Sequence, residues 1–217
     1  KNITELLNVC YISMNIINNM EKRNKIVLIK KGKKMRIIGG TARGTKLYTL
    51  NGENTRPTLD RVKESLFNII QNEIIDANVL DLFSGSGAIG LEAVSRGARK
   101  SILCDKEKQA IEIIRKNVQK THMEQKVEIY NLDFKKILKE KIKEKQDIIF
   151  LDPPYKTDYI AQALELIYEE QLIDAQSIII IETDEEERII KNIDNEKFEI
   201  YDKRKYGRAY LIFLRKT

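Results

Sequence analysis

Five continuously apolar segments between residues 77 and 183 constrain this chain more than any other feature. They are "ANVLDLF" (77–83), "KSILCD" (100–105), "KVEIYNLD" (126–133), "QDIIFLD" (146–152) and "SIIIIET" (177–183). Runs this short and this apolar read as strands buried on both faces. Segments with helical spacing separate them, at 88–97, 106–120, 134–142 and 158–170, with another at 185–193. Strands alternating with helices predict an α/β protein, with a parallel sheet covered on both sides. Two further strands, "KFEIYDKRKY" and "RAYLIFLRK", flank Gly207 and predict a closing antiparallel hairpin.

Before this core stand two other regions. Residues 1–34 are rich in Asn, Ile and Lys and carry no helical stripe, which suggests an extension or a misassigned start. Residue 35 opens "MRIIGG". From there to residue 73 the chain predicts a small unit. "RIIGGTARGTKLYTL" reads as a β-hairpin, "NGENTRP" as a loop, and a helix starts at Thr58 with Val62, Leu66, Ile69 and Ile70 on one face. Residues 74–217 form the main domain.

At 217 residues the chain can bury a core that needs no disulfide or metal staple. Its longest apolar runs are far too short to span a bilayer, and no clean leader precedes them, so a cytoplasmic monomer is expected. Cys10, Cys104 and a single histidine, His122, offer no metal-ligand spacing and no Ser-His or Cys-His pair. Cys104 reads as a core residue and His122 as a surface one.

The net charge of +6 is unevenly spread. Residues 1–34 hold eight Lys/Arg and two acids. Residues 35–63 hold six and two, residues 201–217 six and one, and the stretch 64–200 between them 19 and 28. Basic flanks around an acidic centre suit a protein that meets a polyanion beside a catalytic pocket. Arg36, Arg43, Lys46, Arg56, Arg61 and Lys63 are candidate phosphate contacts. Lys203, Arg204, Lys205 and Arg208 extend the rim. Such residues position a nucleic acid without reading its sequence.

A parallel sheet binds ligands at the carboxyl ends of its strands, where the strand order reverses. Each expected strand ends in an acid-bearing segment: Asp81 to Gly87, Asp105, Asp133, Asp152 to Tyr155, and Glu182. Gly85, Gly87 and Gly90 form a GxGxxG pattern, which lets backbone approach a ligand closely. That pattern alone also fits a dinucleotide oxidoreductase. Asp81 points elsewhere, because a carboxylate in the strand suits a cationic ligand better than a pyrophosphate. S-adenosylmethionine carries an ammonium and a sulfonium and no phosphate. Asp105 would accept from its ribose hydroxyls and Asp133 from its adenine amine, with Phe134 as an apolar contact.

"DPPY" (152–155) stands on the rim of the same pocket. Two prolines stiffen the turn and supply carbonyls without competing N–H groups. An exocyclic base amine is a poor nucleophile. The Asp152 carboxylate and the Pro153 carbonyl can accept its two hydrogens and aim its lone pair at a methyl donor. Pro154 rigidifies the turn, and Tyr155 can stack on the base. The base must leave its stack to be reached.

Together "DLFSGSGAIGLEA" and "DPPY" resemble the class I S-adenosylmethionine-dependent amino-methyltransferases. "MRIIGGTARGTKL", "TRPTLDRVKESLFNII" and "YGRAYLIFLRK" narrow the resemblance to bacterial 16S ribosomal RNA guanine 2-amino methyltransferases, from Met35 to about Lys216. The resemblance implies a Rossmann-like fold and methyl transfer to a guanine of 16S ribosomal RNA within assembled or partly assembled small-subunit particles. It implies that Asp81, Phe83, Ser84, Gly85 and Gly87, with Asp105, Lys106, Asp133 and Phe134, hold the cofactor. It implies that Arg56, Pro57 and Thr58 close over the cofactor's methionine end. Two other readings compete: a DNA adenine 6-amino methyltransferase, for which the chain has little length left to build a target-reading region, and a noncatalytic RNA-binding assembly factor.

Overall fold

The computed structural model describes residues 35–50, 57–154 and 157–217, and for 57–60 the backbone alone. The extension 1–34, Arg56 and Tyr155 lie outside the described residues. The chain runs α1 (Pro57–Ile69), β1 (Asn78–Asp81), α2 (Ala88–Ser95), β2 (Lys100–Cys104), α3 (Lys108–Thr121), β3 (Val127–Tyr130), α4 (Phe134–Lys136) widening into a π-helical turn (Ile137–Lys141), β4 (Ile148–Leu151), α5 (Tyr159–Glu169), β5 (Ile178–Thr183), α6 (Glu186–Lys191), β6 (Phe198–Tyr206) and β7 (Ala209–Lys216).

All seven strands join one sheet in the order β3-β2-β1-β4-β5-β7-β6. The first five are parallel, and β7 runs antiparallel to both β5 and β6. The α/β expectation therefore holds, closing hairpin included. From β1 the chain steps outward to β2 and β3, then returns across β1 to place β4 on its other side. The strand order reverses between β1 and β4, and that is where a crevice opens in such sheets.

Apolar layers cover both faces. On one face Leu80, Ile149, Ile179 and Ile212 pack with Ile160, Leu164 and Ile167 of α5. On the other, Val79, Phe150, Ile180 and Phe213 pack with α1 through Val62, Leu66, Phe67 and Ile70. Phe67 takes the place expected for Ile69, which is half-buried. Next to them Leu91, Leu103, Ile111 and Ile114 enclose Ile37 and Leu47 of the N-terminal segment. Cys104 is fully buried and His122 exposed, as expected. His122 ends α3 in the left-handed conformation.

Two sequence expectations are refined. The N-terminal β-hairpin is short: an antiparallel bridge joins Arg36 to Lys46, Ile37 N–H donates to the Thr45 carbonyl at 3.0 Å, and Leu47 N–H to the Met35 carbonyl at 2.7 Å. The segment is also fastened to α2. Thr41 N–H donates to the Ser95 carbonyl at 2.8 Å and Ala42 N–H to Ser95 Oγ at 2.9 Å. The backbone groups of its turn thus find partners in a helix. The strands also stop earlier than their apolar runs. β1 ends at Asp81 and β3 at Tyr130, leaving Leu82, Phe83 and Asn131 to Asp133 in loops. Of these, Leu82, Phe83, Leu132 and Asp133 line the crevice.

Candidate functional site

The glycine loop leaves β1 through a tight turn. Ser84 N–H donates to the Cys104 carbonyl at 2.9 Å, and Ser84 Oγ donates to the Asp81 carbonyl at 2.6 Å. Gly85 and Gly87 both have positive φ, 52° and 77°, a conformation that side chains disfavour. Gly90 serves packing: a Cβ there would sit 2.2 Å from Leu103 Cδ2 and 2.5 Å from Ser101 Oγ. The pattern thus lets α2 lie close on β2 and turns the loop toward the crevice.

The crevice is a cleft of about 610 Å³, within the usual range for small-molecule sites. It brings together most of the expected cofactor residues: Asp81, Phe83, Ser84, Gly85, Asp105, Lys106, Asp133 and Phe134, with Asp152, Pro153 and Pro154 opposite. Gly87 is buried at the start of α2. Pro57 and Thr58 open α1.

The acids differ in environment. Asp81 is 5% exposed and accepts from Gly90 N–H at 3.2 Å. Burial pushes its carboxyl up to about 7, with Asp105 nearby adding to the effect. Such a group is stabilised in its charged form by a cation. Asp105 accepts from Gly85 N–H at 3.0 Å and from Glu107 N–H at 2.8 Å. Burial raises its carboxyl as well, against those two bonds. One side chain therefore ties the glycine loop to the end of β2. Asp133 caps α4, accepting from Lys135 N–H at 3.0 Å, and the residue is exposed. The ordinary cap and a ligand contact are compatible on the same carboxylate.

Phe83, Phe134 and Tyr159 form an aromatic wall, with ring centroids 5.1 to 6.3 Å apart and Phe83 stacked on Tyr159. Tyr159, the first residue of α5, was not foreseen. Its aromatic type in an apolar helical stripe looks like core. Lys106 lies 5.9 Å from the same ring.

Lys63 requires a correction. It was expected on the nucleic-acid face, but it is 5% exposed. Its Nζ donates to the Arg36 carbonyl at 2.6 Å and pairs with Glu92 at 3.1 Å. It fastens the N-terminal segment rather than meeting phosphate. Glu92, which sequence reasoning missed, is fully buried and accepts from Ile38 N–H and Gly39 N–H, both at 2.7 Å, and from Arg96 Nε at 2.8 Å. It is the only charged residue in α2, "AIGLEAVS", and that isolation was the available signal.

Asn117 is a second missed residue. It takes Tyr48 N–H on Oδ1 at 2.8 Å and donates through Nδ2 to the carbonyls of Tyr48 and Ser86, at 2.9 and 2.8 Å. An amide on the buried stripe of α3 thus clamps the N-terminal segment to the glycine loop. Arg36, Arg43, Lys46, Arg61 and Arg208 are exposed, as phosphate contacts require. Lys203 is paired with Glu186 and Arg204 with Asp202, so the rim of β6 is internally engaged.

No helix among the described residues is long and apolar enough to cross a membrane. No cluster of potential metal ligands occurs among them.

Comparison with known proteins places this arrangement. A family model described as "Conserved hypothetical protein 95" matches residues 35–215. The chain is 38% identical over 159 residues to the ribosomal RNA small subunit methyltransferase D of Haemophilus influenzae, covering 72% of this chain and 82% of that one. It is 34% identical over 152 residues to the protein of the same name in Escherichia coli, covering 70% and 76%. Its fold is similar to the solved structure of "putative methyltransferase yhhF" from Escherichia coli. That match has a TM-score of 0.75 and 27% identity, and covers 84% of this chain and 98% of the other.

Proposed function

The chain belongs to the Conserved hypothetical protein 95 family, and from that premise we propose that it transfers a methyl group from S-adenosylmethionine to the exocyclic 2-amino group of a guanine in small-subunit ribosomal RNA. Relatives named ribosomal RNA small subunit methyltransferase D support the substrate class. One structural observation carries the site. Asp81 ends β1 and Asp152 directly follows β4, the two parallel neighbours at the point of strand reversal. Asp81 pairs with Phe150, two residues before Asp152.

The residues divide the work. Asp81, in its charged form, suits the cofactor's ammonium. Asp105 offers carboxylate lone pairs at the position for ribose hydroxyls. Asp133 suits the adenine amine, and Phe83 and Phe134 supply an apolar flank. When bound, the cofactor supplies an electrophilic methyl on a sulfonium. Asp152 and the Pro153 carbonyl accept the two hydrogens of the base amine and hold its lone pair on the transfer line. Asp152 would take the proton that the amine loses on accepting that methyl. Holding two reactants in line accounts for roughly 7–11 kcal/mol of a bimolecular barrier.

The labelled methyl group tests the reading. The protein is incubated with methyl-labelled cofactor and small subunits from cells lacking the gene, beside naked ribosomal RNA and DNA, and the nucleosides are identified. Label in 2-methylguanosine is expected. Label in DNA 6-methyladenine would move the target to DNA, and no label with cofactor bound would favour a noncatalytic assembly role.

The elevated Asp81 carboxyl sets a pH dependence for cofactor binding. The folded protein holds a proton on Asp81 up to about pH 7, and the cation prefers the deprotonated form. Affinity should therefore fall as pH drops through 7, by up to about tenfold per unit. Calorimetry in matched buffers checks this, and Asp81→Asn should flatten the profile.

The exposed basic residues predict a salt signature. Reversing Arg43 and Lys46 to Glu should weaken particle binding and flatten its salt dependence, by roughly 0.7 in log–log slope per lost phosphate contact. A titration of binding against salt concentration measures it. An unchanged slope would place the RNA on another face.

A further inference from the structure

Glu182 has no role in the reaction described above, yet it lies in the same cleft. It sits in β5, one residue beyond Ile181. Ile181 pairs with Leu151, the residue before Asp152. Asp152, the first residue beyond β4, and Glu182 of β5 each follow the last recorded pair of that register, so both lie at the same end of these neighbouring strands. Strand alternation gives them the same direction. Phe150 and Ile180, two residues earlier on each strand, both pack toward α1. Glu182 is mostly buried, and burial raises its carboxyl above the usual range. Among the described residues its carboxylate has no hydrogen-bond or ion-pair partner. Its side chain is partly exposed to the cleft, and a carboxylate that desolvation disfavours gains from a donor entering there.

The proposed substrate brings such a donor. Along one edge guanine presents its 2-amino group and, beside it, the N1–H. A base amine held by Asp152 places N1–H toward the neighbouring strand. We infer that Glu182 accepts the N1–H of the target guanine and so selects guanine over bases that offer a bare nitrogen at that position. This rests on the guanine reading of the site and deepens it. Adenine and 2-aminopurine both carry an N1 acceptor, which would face a carboxylate with no proton between them. A site built on a buried hydrogen bond rejects such analogues strongly.

2-Aminopurine isolates the effect, because it keeps the 2-amino group and lacks N1–H. Small-subunit particles are reconstituted with guanine or 2-aminopurine at the methylated position, and kcat/KM is measured for each. The wild-type protein should prefer guanine by on the order of 10²–10⁴-fold. Glu182→Gln, nearly isosteric, presents an amide N–H that can meet a bare N1. It should lower that ratio by about tenfold or more, with cofactor affinity retained. Glu182→Leu should bring the ratio close to unity.

An unchanged ratio in both variants would overturn the inference while leaving the guanine reading intact. Lost cofactor affinity in Glu182→Gln would assign the residue to the cofactor and overturn it too. Absence of wild-type transfer to guanine would overturn the reading of the site itself, and this inference with it.

Discussion

Replacing Asp152 with alanine should lower the methyl-transfer rate by about 10²–10⁴-fold, the usual contribution of a positioned proton acceptor, while cofactor affinity stays unchanged. The separation follows from geometry. Asp152 directly follows β4, across the cleft from the glycine loop, and is exposed at its mouth, so its loss leaves no cavity. The carbonyl of Pro153 remains, but one acceptor cannot fix an amine with two hydrogens. Asp152→Asn should fall between, because its amide oxygen still accepts while its NH₂ opposes the base amine. Single-turnover rates with saturating cofactor separate chemistry from binding. Near-normal rates in the alanine variant would remove Asp152 from the chemistry.

The second large effect is on stability. Glu92→Ala should destabilise the fold by about 3–5 kcal/mol, the range for breaking a buried ion pair from one side. It removes the acceptor for two backbone N–H groups and the carboxylate paired with the buried Lys63 ammonium. The loss should appear as a fall in midpoint of roughly 10 °C, given about 2–4 °C per kcal/mol at this size. Adding Lys63→Met to that background should restore part of it, because the buried ammonium that lost its carboxylate is then removed. Equal midpoints for Glu92→Ala and wild type would mean that the N-terminal segment contributes nothing to the fold.

Much of this molecule can be read from the sequence because its signals are local. Five apolar runs between helical segments specify the sheet, and a glycine pattern after one of them marks the ligand end. The acids at the strand ends follow from the same logic, and Asp81, Asp105, Asp133 and Asp152 converge on one cleft. The errors share a cause. Lys63 looks like any other lysine in a basic stretch, since sequence carries charge but not burial. Its partner Glu92 is 29 residues away, and the backbone groups Glu92 holds are more than 50 residues away. Asn117 reaches Tyr48 over 69 residues. The N-terminal hairpin is present but short, and its turn also binds a helix, a choice that local pattern does not reveal.

The strand order carries a consequence for how the protein is made. β7 is synthesised after the other six strands, yet it lies inside the sheet, between β5 and β6. Until it emerges from the ribosome, β5 presents four consecutive isoleucines, Ile178–Ile181, along an open edge. β6 cannot cover that edge, because it pairs only with β7. The nascent chain therefore carries its most apolar strand unpaired while the next thirty or so residues are added, a template for pairing with other chains. Anything that delays the docking of β7 should prolong this exposure, and chaperone dependence should peak in that interval.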